Sequence, residues 1–431
     1  MSDILYERIL ADGQAALLSL DAMKMSGVLC AYALLFASFN VTAADFVVAD
    51  FGAKGDGLAK DTASIQRAVD AAGAAGGGRV VLGRGTYLSG TVFLADNVEL
   101  HLLRDARLLA SPDLADYNAP DAFPQNYSAP KENWCGKHLL VAVEKANVSL
   151  TGEGTVDGNG RAFFNDETPK FVGTVGWRRG AYTAKDRIGE GRPGQLIEFV
   201  ECRNVRVRDV RMVDTPSWGC FLYGCENVEV GGLRVDSPLT HLNTDGVDVD
   251  SCRHVRIGDC VIRTGDDAVA VRGSPRHLKD ASRICEDVVI SNCDFSVSAC
   301  GVRIGVGTGV IRHVLVSNVV VRTAGTAFNL QAVYGQSSGV DISDVAVVGC
   351  RVADSARAIS VTGKPERKVR DVRFADLLLE ENDILPQEKM VRLAEAERVT
   401  FDRVRLQRTG CPARPLTETD VAAQDAEFKV D

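Results

Sequence analysis

Two short stretches of this chain hold carboxylates at spacings that could do chemistry. They are LNTDGVDVDS, starting at Leu242, and TGDDAVAVRG, starting at Thr264. Their valines align: Val247 and Val249 fall on Val269 and Val271, a shift of 22 residues. Under that shift Asp245 falls on Asp267, with Asp266 one place earlier. If the two stretches are neighbouring strands, Asp245 and Asp267 stack about 4.8 Å apart. Three carboxylates on so small a patch repel one another, so at least one should hold its proton near neutral pH. A protonated carboxyl beside ionised ones can hydrolyse a glycosidic bond: the first protonates the leaving oxygen and the others activate a water. The competing reading is a set of turn or surface aspartates, or a calcium site. Either stretch alone is weak, but equivalent places on adjacent strands favour a site. Alternation also turns Asp248 and Asp250 outward on the same strand, where they could line a groove floor.

Stacked strands need a repeat, and the chain has one. CRNVRVRDVRM at Cys202 returns as CENVEVGGLRV at Cys225, CRHVRIGDCVI at Cys252 and CEDVVISNCDF at Cys285, in steps of 23, 27 and 33 residues. It continues as IRHVLVSNVVV at Ile311, VDISDVAVVGC at Val340, VRDVRFADLLL at Val369 and ERVTFDRVRL at Glu397. Each copy alternates apolar and polar residues, the two-residue period of a strand. One copy cannot bury its own apolar face, whereas stacked copies share a continuous core. Strands without helices between them imply an all-β fold, a right-handed parallel β-helix with about three strands per turn.

Ahead of the repeat, DFGAKGDGLAKDTASIQRAVDAAG predicts a strand, a glycine-rich turn and one amphipathic helix. The helix should be capped by Asp61 or Thr62, bury Ile65, Val69 and Ala72, and plug the open end of the coil. Two long irregular stretches, about 116–137 and 160–195, are where binding function is expected. Cys202, Cys225, Cys252 and Cys285 share one repeat position, and Cys260, Cys293 and Cys350 another. Stacked strands hold such residues wider apart than a disulfide needs, so the thiols are expected to pack as small hydrophobes. Their spacings do not suggest zinc.

Composition sets outer bounds. Hydrophobic residues make up 45% and charged residues 25%, which excludes a disordered or fibrous chain. With 49 Lys+Arg against 58 Asp+Glu the net charge is −9, which argues against a nucleic-acid partner. Twelve cysteines are too dilute for a disulfide scaffold. Near the N-terminus, VLCAYALLFASF over Val28–Phe39 has the length of a signal-peptide core and is too short to span a bilayer comfortably. Lys24 precedes it, and Val41-Thr42-Ala43-Ala44 offers a cleavage region. Residues 1–44 therefore read as a mis-assigned start, with the true start at Met23 or Met25, followed by a signal. Residues 45–431 read as a single catalytic domain. The mature chain would be secreted or periplasmic, monomeric and without a membrane span.

From Asp45 to Leu406 the chain resembles the polygalacturonase-type glycoside hydrolases of family 28. The resemblance rests on DFGAKGDG, the DTASIQRAVDAA helix, GGGRVVLGRGTYLSG, GEGTVDGNG, RPGQLIEF, DTPSWG, NTDGVDVDS and TGDDAVAV. It implies Asp266 as general acid, and Asp245 and Asp267 as the pair that positions and deprotonates a water, with inversion and without metal or cofactor. Two family motifs are missing. Where the family shows Gly-His-Gly, this chain reads SACGVRIGVG, and the His position falls on Ala299 or Cys300. Where polygalacturonases carry Arg-Ile-Lys to hold the galacturonate carboxylate, TAFNLQ puts Asn329 and Gln331. That exchange removes charge-assisted contacts to a sugar acid.

Other residues could compensate. Val302 and Ile304 match the inward valines, so Arg303 should point into the groove, as should Arg272 one coil earlier. Arg303 could hold a substrate carboxylate or neutralise the aspartates. Trp218, in DTPSWG, could stack on a sugar or pack internally; His241 and Tyr334 are weaker candidates. The resulting expectation is an exo-acting or side-chain-directed hydrolase of a pectin-like plant polysaccharide, bound through Asp248, Arg272, Arg303, Asn329, Gln331 and Trp218. Two rivals stand beside it: a lyase or epimerase on the same coil, and a non-catalytic glycan-binding solenoid.

Overall fold

Alternating residues build strands, and the strands stack in register along the whole chain. The structure is a computed structural model that describes residues 44–129, 132–164, 191–335, 337–381 and 389–431. The expected leader lies outside the described residues, as does 165–190 of the second long stretch. Asp45–Asp431 clusters as one unit of 33 strands. Among the described residues the strand-to-strand pairings are parallel except one, between Arg405–Arg408 and Arg414–Pro415. The chain is a right-handed parallel β-helix. Cys220–Tyr223, Glu226–Gly231 and Arg234–Asp236 make one turn, and each pairs with its counterpart one turn on.

The helix α1 (Thr62–Ala74) covers the first coils and buries Ile65, Ala68, Val69 and Ala72. Asp61 precedes it, but its carboxylate does not cap the helix: it accepts from the N–H groups of Lys54 and Gly55, at 2.7 and 2.9 Å, and so ties down the glycine-rich turn.

Inside the coil the apolar residues form one core. The repeat cysteines belong to it as free thiols. Each reaches a neighbouring carbonyl: Cys225 Sγ donates to Phe199 O at 3.2 Å and Cys252 Sγ to Leu222 O at 3.3 Å. The Asn of each CxN phrase sits at positive φ, which Asn tolerates better than most residues. Asn204 Nδ2 donates to Asn147 Oδ1 at 2.8 Å, so the turn column is stitched from coil to coil.

One ladder carries the residues of interest. It runs through β1 (Leu140–Val143), β2 (Ile197–Val200), β3 (Cys220–Tyr223), β4 (Val247–Asp250), β5 (Val269–Gly273), β6 (Cys300–Gly307), β7 (Val320–Gln331) and β8 (Arg351–Thr362). Val247 pairs with Val269 and Val249 with Val271, the register read from the sequence. Val302 and Ile304 continue it on β6, and Phe328 and Leu330 on β7.

Candidate active site

The two aspartate motifs enter β4 and β5 from adjacent turns, and those turns are locked together. Thr244 Oγ1 accepts from Gly265 N at 3.0 Å and from the Thr264 hydroxyl at 3.0 Å, and donates to His241 O at 2.9 Å. Gly265 is required by this approach: a Cβ there would lie 1.9 Å from His241 O. Gly246 N donates to Asp267 O at 2.9 Å, which sets Asp245 one coil below Asp267. The three carboxylates of Asp245, Asp266 and Asp267 each offer an oxygen within 4.8 Å of the others. That cluster could hydrolyse, and its geometry could also receive a cation.

The three side chains differ in environment. Asp266 is half-buried, and the other two are nearly closed off. Burial, with Asp267 beside it, pushes the Asp266 carboxyl up to about 7, although Arg303 and the Asn243 N–H, which donates to Oδ2 at 3.1 Å, work against the shift. Burial, reinforced by Asp266, Asp248 and Asp267, holds Asp245 well above the usual carboxylate range. Its Oδ1 accepts no hydrogen bond. Asp267 is ion-paired: Arg303 Nε donates to Oδ2 and Nη2 to Oδ1 at 3.1 Å, while Cys300 N donates to Oδ1 at 2.8 Å. Cys300 therefore occupies the next place in the column above Asp267, where the family's histidine was sought.

Arg303 points outward, and its guanidinium is paired with Asp267. Its guanidinium also lies 5.5 Å from the Tyr334 ring, and Tyr334 is exposed. Asn329 stacks on Arg303, and Gln331 follows two places on. Asn329 Nδ2 lies 3.6 Å from Cys300 Sγ, and Gln331 Nε2 donates to Val333 O at 2.9 Å. Both amides are half-buried.

Three expected contact residues lie elsewhere than the groove. Asp248 is wholly buried and does not form an open floor; it faces Arg272, with 3.5 Å between Nη1 and Oδ1. Arg272 also approaches Asp250, at 3.7 Å, and covers the Trp218 ring at 4.4 Å. Trp218 is 5% exposed and packs against Trp134 and Phe221, so no open ring face remains for a sugar. The cause is the first long loop. Phe123 and Tyr127 join Val141, Val200, Trp218, Phe221 and Tyr223 in a second apolar cluster on the outer face of β1–β3. The groove is thereby covered on the N-terminal side of Asp248, while Arg303, Asn329, Gln331 and Tyr334 lie on its C-terminal side.

Sequence reasoning missed the polar groups beneath that loop. His138 Nε2 lies 2.8 Å from Glu198 Oε2, and both residues are buried. Arg192 is wholly buried too. Alternation in QLIEF was a usable signal for Glu198, which shares its outward column with Asp248 and Arg303. A concavity of about 1070 Å³ on another face, lined by Arg206, Glu229 and Arg256, contains none of the three aspartates.

The profile of glycosyl hydrolases family 28 matches residues 122–395, and that of rhamnogalacturonase A/epimerase, pectate lyase-like, matches residues 46–101. A probable polygalacturonase of Vitis vinifera is 30% identical over 246 residues, covering 56% of this chain and 46% of that protein. The exo-poly-alpha-D-galacturonosidase of Dickeya chrysanthemi is 27% identical over 250 residues, covering 52% and 41%. The chain thus spans about half the length of these curated relatives. The family 28 exopolygalacturonase of Yersinia enterocolitica superposes with a TM-score of 0.66 at 18% identity, covering 90% of this chain and 78% of the other. The first profile takes in well over half of the chain and all three clustered aspartates, and on that ground the chain belongs to glycosyl hydrolases family 28.

Proposed function

We propose that the protein is a glycosidase that cleaves a pectin-like polysaccharide from a chain end, by metal-independent inversion, outside the cytoplasm. The observation that carries the reading is Asp266, half-exposed and protonated up to about neutral pH, beside Asp245 and the Arg303-paired Asp267. Asp266 gives its proton to the glycosidic oxygen. Asp267, paired with Arg303, takes a proton from the water that attacks the anomeric carbon, and Asp245, whose buried Oδ1 has no hydrogen-bond partner, orients that water. The covered N-terminal side of the groove supports end-wise cleavage, because a polymer cannot pass under Phe123 and Tyr127. The names of the Dickeya and Yersinia relatives point the same way. Outside-cell action rests on the expected signal segment.

The test is incubation with a panel of pectic oligosaccharides, with products identified by mass and anomer, with and without a chelator. Inverted products made equally well in chelator support the reading. The carboxylate oxygens lie within 4.8 Å of one another, closer than the roughly 6.5–9.5 Å usual for an inverting pair, so products of retained configuration would overturn the inverting part of the reading. An unsaturated product, or dependence on calcium, would move the protein to the lyase alternative.

A further inference from the structure

Arg192 lies outside the aspartate cluster, yet it connects the segments that form it. Its side chain is wholly buried, an expensive location for a guanidinium. Nη1 donates to Pro216 O at 2.6 Å and to Leu242 O at 2.7 Å. Nη2 donates to Asn243 Oδ1 at 2.8 Å and to Glu132 O at 3.1 Å. The guanidinium carbon lies 5.1 Å from the Phe164 ring centroid. One rigid, planar fork thus joins the covering loop, the turn before β3 and the turn that carries Asp245. Two of those bonds fall on Leu242 and Asn243, immediately ahead of Asp245. Asn243 in turn donates its backbone N–H to Asp266 Oδ2.

The geometry points to Arg192 as a positioning residue for hydrolysis: through Leu242 and Asn243 it fixes the turn whose N–H holds the Asp266 carboxyl and whose next residues place Asp245. Arg192 does not contact Asp266 and acts through Asn243. The inference rests on the reading of Asp266 as general acid. A lysine cannot reproduce the fork, because its three donors leave from a single nitrogen. The Asn243 N–H favours the ionised form of Asp266, so loosening the turn should make that carboxyl harder to ionise.

The experiment compares Arg192→Lys, Asn243→Ala and Asp266→Asn in the full chain. Asn243→Ala removes the side-chain acceptor while leaving Arg192 in place and serves where Arg192→Lys does not fold; because Asn243 lies at φ 55°, Asn243→Gly is made beside it to separate backbone strain from loss of the acceptor. Two quantities are measured. The first is turnover on a pectic oligosaccharide that the wild type cleaves. The second is the titration of Asp266 by carbon-13 resonance of labelled aspartates, assigned with Asp266→Asn. Both positioning variants should lower kcat by about ten- to a hundredfold with little change in KM. Both should raise the Asp266 midpoint by about one pH unit, the worth of one hydrogen bond to a charged group. Wild-type kcat and an unmoved midpoint in a folded variant overturn the assignment. Loss of thermal stability alone, with both readouts unchanged, assigns Arg192 a merely structural role and also overturns it. If Asp266→Asn keeps full turnover, the acid reading has failed instead, and the resonance titration still decides whether Arg192 holds the turn.

Discussion

The Arg303 guanidinium takes both carboxylate oxygens of Asp267, one coil away on the same ladder. That pairing changes what Arg303 can do. A side chain engaged at Asp267 is not available to a substrate carboxylate without leaving a buried anion behind, and such an anion is costly.

Arg303→Ala should therefore reduce kcat on every substrate the enzyme accepts, whether neutral or acidic. A drop of about 10²-fold or more is expected, since Asp267, which takes the proton of the water, is left buried without its cation. Arg303→Lys should retain part of the activity. The measurement is kcat/KM on matched neutral and uronate-ended oligosaccharides. A loss confined to the uronates would show that Arg303 binds substrate instead.

Asp266→Asn keeps the shape of the site and removes the proton. Activity should fall by about 10²–10⁴-fold while circular dichroism and melting temperature stay unchanged. The wild-type pH profile carries the same information. A general acid works only when protonated, and burial sets the Asp266 midpoint near 7. Activity should accordingly decline as pH rises through about 7, and that alkaline limb should be missing in the residual activity of the Asn variant. An alkaline limb that persists there would assign the acid role to another group.

Much of this arrangement was legible before any coordinates, and the reason is register. Inward valines fix a strand's facing, so Val247 and Val269 were enough to stack Asp245 under Asp267, and Val302 was enough to turn Arg303 outward on the next coil. Facing is not exposure, however. Asp248, Arg272 and Trp218 were placed on the groove side, yet Trp218 packs with Phe123 and Tyr127 of a loop some 100 residues earlier, Arg272 covers Trp218, and Asp248 is buried facing Arg272. Nothing in the strand itself reports what covers it. Arg192 was hidden for a different reason. Three of its acceptors are backbone carbonyls, which carry no residue-type signature. The role of Asp61 was misplaced because a turn and a helix start compete for one carboxylate, and the glycine-rich turn took it.

The cover over β1–β3 predicts the product. Digestion should release short sugars from chain ends from the first minutes, with little early loss of polymer viscosity. Tyr127→Gly would thin the cover, because its ring sits against Trp134, Phe221 and Tyr223. Early mid-chain fragments should then increase. Wild-type digestion that begins with random internal cuts would sink the end-wise reading.

The last prediction concerns the sugar next to the scissile bond. Asn329 and Gln331 stand where polygalacturonases are expected to carry cations, half-buried and close to Arg303. Their amides can hydrogen-bond a carboxylate but cannot neutralise it. Hydrogen bonds to charged partners are worth about 1.5–3 kcal/mol against about 1 for neutral ones. Two such exchanges correspond to a loss of tens- to hundreds-fold, roughly, in kcat/KM. Unsubstituted polygalacturonate should therefore be a poor substrate beside one with a neutral or masked unit at that place. Asn329→Arg with Gln331→Lys restores the charge, and the pair should raise kcat/KM on polygalacturonate by at least about tenfold. Asn329 stacks directly on Arg303, with the aspartates one coil further back, so the new Arg meets a like charge and the melting temperature of the double variant is measured alongside its activity. Efficient wild-type hydrolysis of polygalacturonate, with no gain in the double variant, would falsify the specificity argument and leave the amides as bystanders.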